Sequence, residues 1–203
     1  MAMKIETELK FQVEDFASVQ ERLELLHAGH TPWYFEKNIV LDDDQGSLKS
    51  SSALLRLRTG LENKLTLKLP MDPTVSGLAK HRLEHETVVG NIRDMESILG
   101  YLGFKTWLSY EKFRQVWYWE EVKVCLDILP FGRFVEIEGD EAGIMNAAGN
   151  LGLDTDKATA KTYHQLNQEQ NKKPGSRTGD DFVFDPDRRE YLVRELNIQN
   201  SGS

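Results

Sequence analysis

Glu6, Glu8 and Lys10 occupy alternate positions in the run Glu6-Thr7-Glu8-Leu9-Lys10, which reads as a β-strand. Successive side chains of a strand point to opposite faces, so two acids and a base share one face. Ile5, Leu9 and Phe11 share the other. The same alternation recurs along the chain. Arg56 and Arg58 alternate with Leu55 and Leu57, and Lys64, Thr66 and Lys68 alternate with Leu65, Leu67 and Leu69. Arg82, Glu84 and Glu86 follow, then Lys112 and Arg114. Asp127 lies on the same side as Lys123 and alternates with Leu126 and Ile128, and Glu136 and Glu138 alternate with Val135 and Ile137.

Like charges two residues apart on one strand repel unless something bridges them. For Arg56 and Arg58 the bridge is a multivalent anion, because guanidinium offers paired donors matched to phosphate oxygens and lysine adds a point charge. For Glu136 and Glu138 it is a divalent cation. Carboxylates without cysteine or histidine partners select a hard ion, Mg²⁺ or Mn²⁺ rather than Zn²⁺. A metal–polyphosphate complex satisfies both needs. No G-x-x-x-x-G-K-[ST] and no G-x-G-x-x-G is present, so side chains would do the phosphate binding. The competing interpretation is a set of half-solvated strands. Sorting by charge type argues against it: basic pairs fall on adjacent strands, while Glu-x-Glu recurs on the first, fifth and eighth.

Eight strands are expected to position these residues, near 4–13, 35–41, 53–59, 63–70, 80–89, 109–119, 121–129 and 133–139. Short links, such as Glu120-Glu121 and Pro130-Phe131-Gly132, make neighbours antiparallel. Helices are expected after Asp15 or Ser18, near 91–102 with Gly103 closing it, near 140–151, and as a short piece over 158–169. The fold class is α+β, and an eight-stranded antiparallel sheet removes its edges by closing into a barrel. The apolar strand face would meet the flanking helices and the charged face would line a tunnel. Residues 1–169 form this domain, and residues 170–203 form a polar linker and a carboxy-terminal appendage. The apolar residues scattered over 181–200 dock on the body, contact another subunit or stay disordered.

Composition bounds the rest. The 203 residues are 39% hydrophobic and 29% charged, enough for one core. A net charge of −8 argues against nucleic acid as the main partner, though not against a small polyanion held by a local basic cluster. The single cysteine, Cys125, excludes an internal disulfide framework and fits a reducing cytoplasm. Met1-Ala2-Met3-Lys4 runs into the first strand without an apolar leader, and no apolar run is long enough for a membrane span. A small polyanion is the expected partner, with a homodimer as a further candidate. Cys125 is read as a passive small residue. His81 and His85 are read as solvated or packing residues, and Trp117-Tyr118-Trp119 as a packing run.

In this order, these motifs resemble those of the CYTH family, the triphosphate tunnel metalloenzymes. The carriers are E-x-E-x-K with Glu6, Glu8 and Lys10, ALLRLR with Arg56 and Arg58, LTLKLP with Lys68, and RLEHE with Arg82, Glu84 and Glu86. EKFR with Lys112 and Arg114, LDILPFGRFVEIEG with Asp127, Glu136 and Glu138, and KTYHQL with Lys161 and Tyr163 complete the series over roughly residues 4–168. The resemblance implies a closed eight-stranded tunnel with an ionic interior. It implies that Lys10, Arg56, Arg58, Lys68, Arg114 and Lys161 hold the triphosphate, with Lys64, Lys112 and Arg82 as further members. Glu136, Glu138 and Asp127, with Glu6 or Glu8, would hold one or two Mg²⁺ or Mn²⁺ ions. The sequence departs from the family pattern at Val40, at Leu69-Pro70 and at the turn Pro130–Arg133, changes that bear on substrate identity.

The resemblance further implies triphosphate hydrolysis, with Glu6 or Glu8 activating water and Lys68 assisting, or conversion of ATP to cyclic AMP and pyrophosphate. Hydrolysis is placed first. A non-catalytic polyphosphate or nucleotide sensor would not need the acids Asp127, Glu136 and Glu138. A barrel carrying an apolar ligand would need an apolar lining, which a charged inner face does not provide.

Overall fold

A computed structural model describes residues 4–70, 80–172 and 180–198, with side chains from residue 7 in the first segment and from residue 83 in the second. Among the described residues there are nine strands: β1 (Lys4–Val13), β2 (Gly29–His30), β3 (Tyr34–Asp42), β4 (Leu54–Thr59), β5 (Lys64–Pro70), β6 (Lys80–Val88), β7 (Lys105–Trp119), β8 (Val122–Leu129) and β9 (Gly132–Glu138). Six helices accompany them: α1 (Ala17–Leu25), α2 (Ser47–Ser50), α3 (Ile92–Tyr101), α4 (Glu141–Asn150), α5 (Tyr163–Asn171) and α6 (Pro186–Glu195).

The strands form one curled antiparallel sheet in the order β2-β7-β3-β4-β5-β6-β1-β9-β8, and β7 also pairs with β8. Eight of the strands match the sequence expectation closely. The strand expected at 109–119 begins at Lys105 instead, and β2, α2 and α6 are additional. Two-residue β2 and four-residue α2 are too short to show a period.

Alternation and register together place the charged residues on one face. Across β1 and β9, Glu8 stands opposite Glu138 and Lys10 opposite Glu136. Across β3 and β7, Glu36 stands opposite Lys112 and Asn38 opposite Tyr110. Arg58 pairs in register with Lys64, Lys68 with Glu84, and Arg114 with Asp127.

The other face is apolar and covered by helices. Leu9 and Phe11 of β1, with Val124, Leu126, Val135 and Ile137 of β8 and β9, pack under α1 and α4 through Val19, Leu23, Ile144, Ala147 and Ala148. Leu55 and Leu57 of β4 pack with Leu99 of α3 in a second cluster. Local chemistry fixes the helix ends. The Asp15 carboxylate accepts the Ala17 N–H at 2.9 Å before α1, Asn91 caps α3, and Asp140 caps α4. Thr162 and Gln165 form a capping box that starts α5. Gly103 adopts φ +93° after α3, the left-handed conformation that glycine reaches without a Cβ clash.

The carboxy-terminal segment docks on the body. Residues 180–184 run beside β7: the Phe182 N–H donates to Ser109 O at 3.2 Å and the Glu111 N–H donates to Phe182 O at 3.1 Å. These bonds use the edge of β7 that lies opposite β3 and ahead of the β8 pairing, which begins at Phe113. The α6 helix follows, with Asp185 capping it, Pro186 in its first turn, and Leu192 fully buried in the main core.

Candidate functional site

The charged face of the sheet encloses a cavity of about 480 Å³. Among the described residues, nine basic and five acidic side chains line it, so it carries a positive excess inside a chain of net −8. An excess of that sign in a confined space suits a multivalent anion.

At one end β1, β7, β8 and β9 build a buried ionic network. Lys10, 2% exposed, donates to Glu8 at 2.6 Å and lies 3.0 Å from Glu136. Arg114 donates through Nε and Nη2 to both oxygens of Asp127, at 2.6 and 2.5 Å, and to Glu136 at 2.6 Å. The Tyr163 hydroxyl, brought in by α5, donates to Asp127 at 2.6 Å. Lys112 lies 3.4 Å from Asp127 and 3.5 Å from Glu36, and Lys123 lies 2.5 Å from Glu138.

Burial here opposes every charge, and the partners outweigh it. Burial pushes Glu8 and Glu136 up, but Lys10 holds both below the ordinary carboxylate range, with Arg114 also acting on Glu136. Burial pushes Lys10 down, but Glu136 and Glu8 raise it above the ordinary lysine range. Glu36, also buried, is held low by Lys112, Arg114 and Arg58. Burial and the Asp127 charge raise the Tyr163 phenol, so it stays protonated and donates.

Across the cavity β4, β5 and β6 carry a second cluster. Glu86 accepts from Arg58 at 3.1 Å, Lys64 at 2.8 Å and Thr66 at 3.0 Å. Burial opposes ionisation, but the Lys64 hydrogen bond and the Arg58 charge bring Glu86 down to about 2. Lys68 lies 3.8 Å from Glu84, and Arg56 donates to the Tyr110 hydroxyl at 3.2 Å.

Most of the expected residues therefore converge. Glu8, Lys10, Arg56, Arg58, Lys68, Lys112, Arg114, Glu136 and Glu138 all line the cavity. The side chains of Glu6 and Arg82 lie outside the described residues, though the two stand opposite each other in the β1–β6 register. Two expected residues are placed elsewhere. Asp127 is fully buried behind Arg114, with Arg114, Lys112 and Tyr163 around its carboxylate. Lys161 is half-exposed and pairs with Glu169 at 2.7 Å, away from the cavity wall.

Glu36 and Asn38 do not line the cavity but join the buried network around it: Glu36 lies 3.5 Å from Lys112 and accepts from Asn38 at 3.0 Å. Their two-residue spacing in β3 carried the same signal as the other strands, but only one of them is charged. The remaining additions, Trp107, His164 and Phe182, give the same cavity an apolar and aromatic wall with Val40, Leu54 and Tyr110. Its aromatic residues sit on three separate segments, so no local pattern announces it.

The carboxylates fit a hard divalent cation. Oxygens of Glu136 and Glu138 and the Cys125 sulfur lie within 4.8 Å of one another, and Glu8 stands opposite Glu138. Burial pushes the Cys125 thiol up, and the carboxylate oxygens are the hard donors of this group. Glu8 and Glu136 are already held ionised, as ligation requires.

The curled sheet with an ionic inner face defines a class of triphosphate-handling proteins, and the chain belongs to the CYTH family: the CYTH domain matches residues 4–171. Members are typically triphosphatases or adenylyl cyclases and depend on divalent metals. A Methanocaldococcus jannaschii protein named as a putative adenylate cyclase is 25% identical over 174 residues, covering 80% of this chain and 98% of that one. Two solved structures share the fold. One, a putative adenylate cyclase of Vibrio parahaemolyticus, superposes with a TM-score of 0.70 at 18% identity, over 82% of this chain and 99% of that one. The other, a Hippeastrum protein described as a putative adenylyl cyclase with a dominant triphosphatase activity, superposes with a TM-score of 0.59 at 19% identity, over 85% and 98%.

Proposed function

We propose that this protein is a divalent-metal-dependent triphosphatase that binds its substrate in a closed eight-stranded tunnel. The pairing of β7 with β8 supports the closed form. The observation that carries the function is the meeting of phosphate-binding bases and metal-binding acids in one cavity. Arg56, Arg58, Lys64 and Lys68 come from β4 and β5, while Glu8, Glu136 and Glu138 come from β1 and β9.

In this reading Arg56, Arg58 and Lys68 take the phosphate oxygens, and Lys10, Lys112 and Arg114 face them from the opposite wall. Asp127 is a positioning residue: gripping both nitrogens on one edge of Arg114, it fixes how that guanidinium meets the substrate. Lys161 is left out of the set because it pairs with Glu169 at the surface. Glu136 and Glu138, with Glu8, would hold Mg²⁺ or Mn²⁺, which when bound polarises phosphoryl oxygens and offsets developing charge. Water attacks the terminal phosphorus, the bridging oxygen leaves with the bond's electron pair, and the basic wall stabilises the charge that moves onto it. Glu8 is a weak base because Lys10 holds it ionised, so it orients the water more than it removes the proton. Glu6, two residues earlier on β1, is the proposed second carboxylate and takes the proton that the attacking water gives up. The single cysteine supports a cytoplasmic location for this chemistry.

One observation favours a second reading, cyclisation of ATP: the cavity extends from the ionic network to an aromatic wall that a base could contact. Product analysis separates the readings. Purified protein with Mg²⁺ or Mn²⁺ is given inorganic triphosphate, ATP and thiamine triphosphate in turn. Metal-dependent orthophosphate release is expected. Cyclic AMP with pyrophosphate would make it a cyclase, and binding without any turnover would make it a sensor.

A further inference from the structure

We propose that the carboxy-terminal segment 180–184, which lies beyond the CYTH match, positions the ionic network from outside it. Asp180 and Phe182 are the positioning residues. They hold α5 and its first residue, Tyr163, against the sheet, and Tyr163 in turn fixes the Asp127 carboxylate that grips Arg114. The inference rests on the triphosphate reading and adds to it what keeps the buried end of the site aimed.

Tyr163 is where α5 meets the network. Its hydroxyl donates to Asp127 at 2.6 Å, and the ammonium groups of Lys10 and Lys112 lie 5.1 and 5.5 Å from its ring centroid. One side chain therefore touches three charged members of the site. A shift of about 1 Å takes its hydroxyl out of hydrogen-bonding range of Asp127, so the placement of α5 decides whether Asp127 is held.

Two connections run from α5 to the tail. The helix buries two residues, Tyr163 and Asn167, which stand four apart and so share a face. Tyr163 bonds to Asp127, while Asn167 donates to the Asp180 carbonyl at 3.3 Å. Gln168, the next residue, donates to the Asp180 carboxylate at 3.2 Å. The second connection is a chain of rings. Phe182 meets Phe131 edge-on at 5.4 Å, Phe131 meets Phe134 at 5.6 Å, and Phe134 meets Tyr163 at 5.4 Å. Phe134, Tyr163 and Phe182 are buried in one cluster, with Leu166 of α5 packed against it. In an interior packed this closely, removing one ring lets its neighbours relax into the space, and the displacement reaches Tyr163.

The tail is itself fixed by residues that take no part in the network. Phe182 exchanges backbone hydrogen bonds with Ser109 and Glu111, and its ring stacks on Tyr110 between them at 4.8 Å and 21°. Asp181 accepts the Ser109 N–H at 2.8 Å, and the Phe184 N–H donates to the buried Glu111 carboxylate at 3.1 Å. Phe184 and Leu192 are buried in the main core. These attachments to β7 and to the core make the segment a fixed support, from which Asp180 reaches α5.

The test is a double-mutant cycle on the full chain, read as calorimetric affinity for inorganic triphosphate and for ATP. The variants are Phe182→Ala, Tyr163→Phe, which keeps the ring and removes the donor, and the two combined. Each single variant is expected to weaken inorganic triphosphate about tenfold, and the double variant to stay within about twofold of either. Phe182→Leu, which keeps the apolar bulk, is expected to recover affinity to within about threefold of the wild type. ATP is expected to weaken by the same factor, since it presents the same triphosphate to Arg114. Should Phe182→Ala not fold, Asp180→Ala takes its place in the cycle. It alters an exposed residue, and a loss of about threefold is expected that disappears in the Tyr163→Phe background. Losses that multiply in the double variant would make the tail and Tyr163 independent and overturn the inference while the triphosphate reading stands. Unchanged affinity in Phe182→Ala, or a loss confined to ATP, would do the same. Failure of the wild type to bind either ligand would sink both.

Discussion

Asp127 is a fully buried carboxylate whose partners Arg114, Lys112 and Tyr163 line the cavity. Its carboxylate has no exposed surface and receives Arg114 twice and Tyr163 once. An amide at this position keeps the shape but removes the carboxylate that Arg114 grips twice, leaving Glu136 as its near partner. Breaking a buried pair from one side costs about 3–5 kcal/mol. Asp127→Asn is therefore expected to lose about that much in urea unfolding and to lose activity with it. A loss below about 1 kcal/mol would mean that Glu136 alone holds Arg114. Glu138 is the converse case. It faces the cavity and its described ion-pair partners are Lys123 at 2.5 Å and Arg114 at 3.9 Å. Glu138→Ala is expected to keep a cooperative melt while metal-dependent activity falls at least about tenfold, since even second-layer residues of metal sites reach that range. Full activity in that variant would remove Glu138 from the metal site.

At the scale of elements, β7 does more than any other strand. Its 15 residues pair with β3 along one edge and with β8 beyond Phe113 along the other. The part left over, around Ser109–Glu111, is where the tail attaches. Glu111 is buried there with the Phe184 N–H and, at 3.4 Å, Arg189. Glu111→Ala leaves that buried N–H without an acceptor, at a cost of about 1–3 kcal/mol, while Leu192→Ala, in the core contact of α6, costs about 2–5 kcal/mol. Both are expected to speed hydrogen exchange at residues 180–184 before it changes in β1 or β9. Exchange that rises uniformly would mean that tail and sheet open as one unit. The same strand shows what the sequence could and could not convey. Each inward charge of β4, β5, β8 and β9 is legible, because alternation is a local property that survives into the sheet. Glu36 was equally legible in principle, two residues before Asn38. Asp127 follows the same alternation, and its register with Arg114 is what buries it. For the tail, docking on the body was one of three readings that its scattered apolar residues left open. Phe182, Phe184 and Leu192 follow no period, and what orders them is a vacant edge of β7 more than seventy residues earlier in the chain.

For the molecule as a whole, the charges that would grip the substrate are also the charges that set its stability. Glu8, Glu36, Glu86 and Glu136 all have carboxyls lowered by folding, Glu86 from 4.5 to about 2. A lowered carboxylate stabilises the fold fully above its unfolded value and loses that contribution as pH falls through its folded one. Lys10 is raised, so its contribution is complete below the ordinary 10.5 and disappears only as pH rises past its folded value. The melting temperature is therefore expected to be flat between about pH 5 and 9 and to drop steadily from about pH 4.5 towards 2. A maximum near neutrality with a fall on both sides would mean that some other group, such as a histidine, controls stability. The positive excess in the cavity adds a ligand-dependent term. Its basic side chains repel one another until an anion bridges them, so inorganic triphosphate at a hundred times its Kd is expected to stabilise by about 2.7 kcal/mol. The gain should shrink as salt is raised, because added ions screen the same charges. It should persist down to the pH at which Glu86 and the buried carboxylates protonate, since until then the network keeps Arg58, Lys64 and Lys10 aimed into the cavity. A triphosphate-induced shift indifferent to salt would place the anion on some other surface of the molecule.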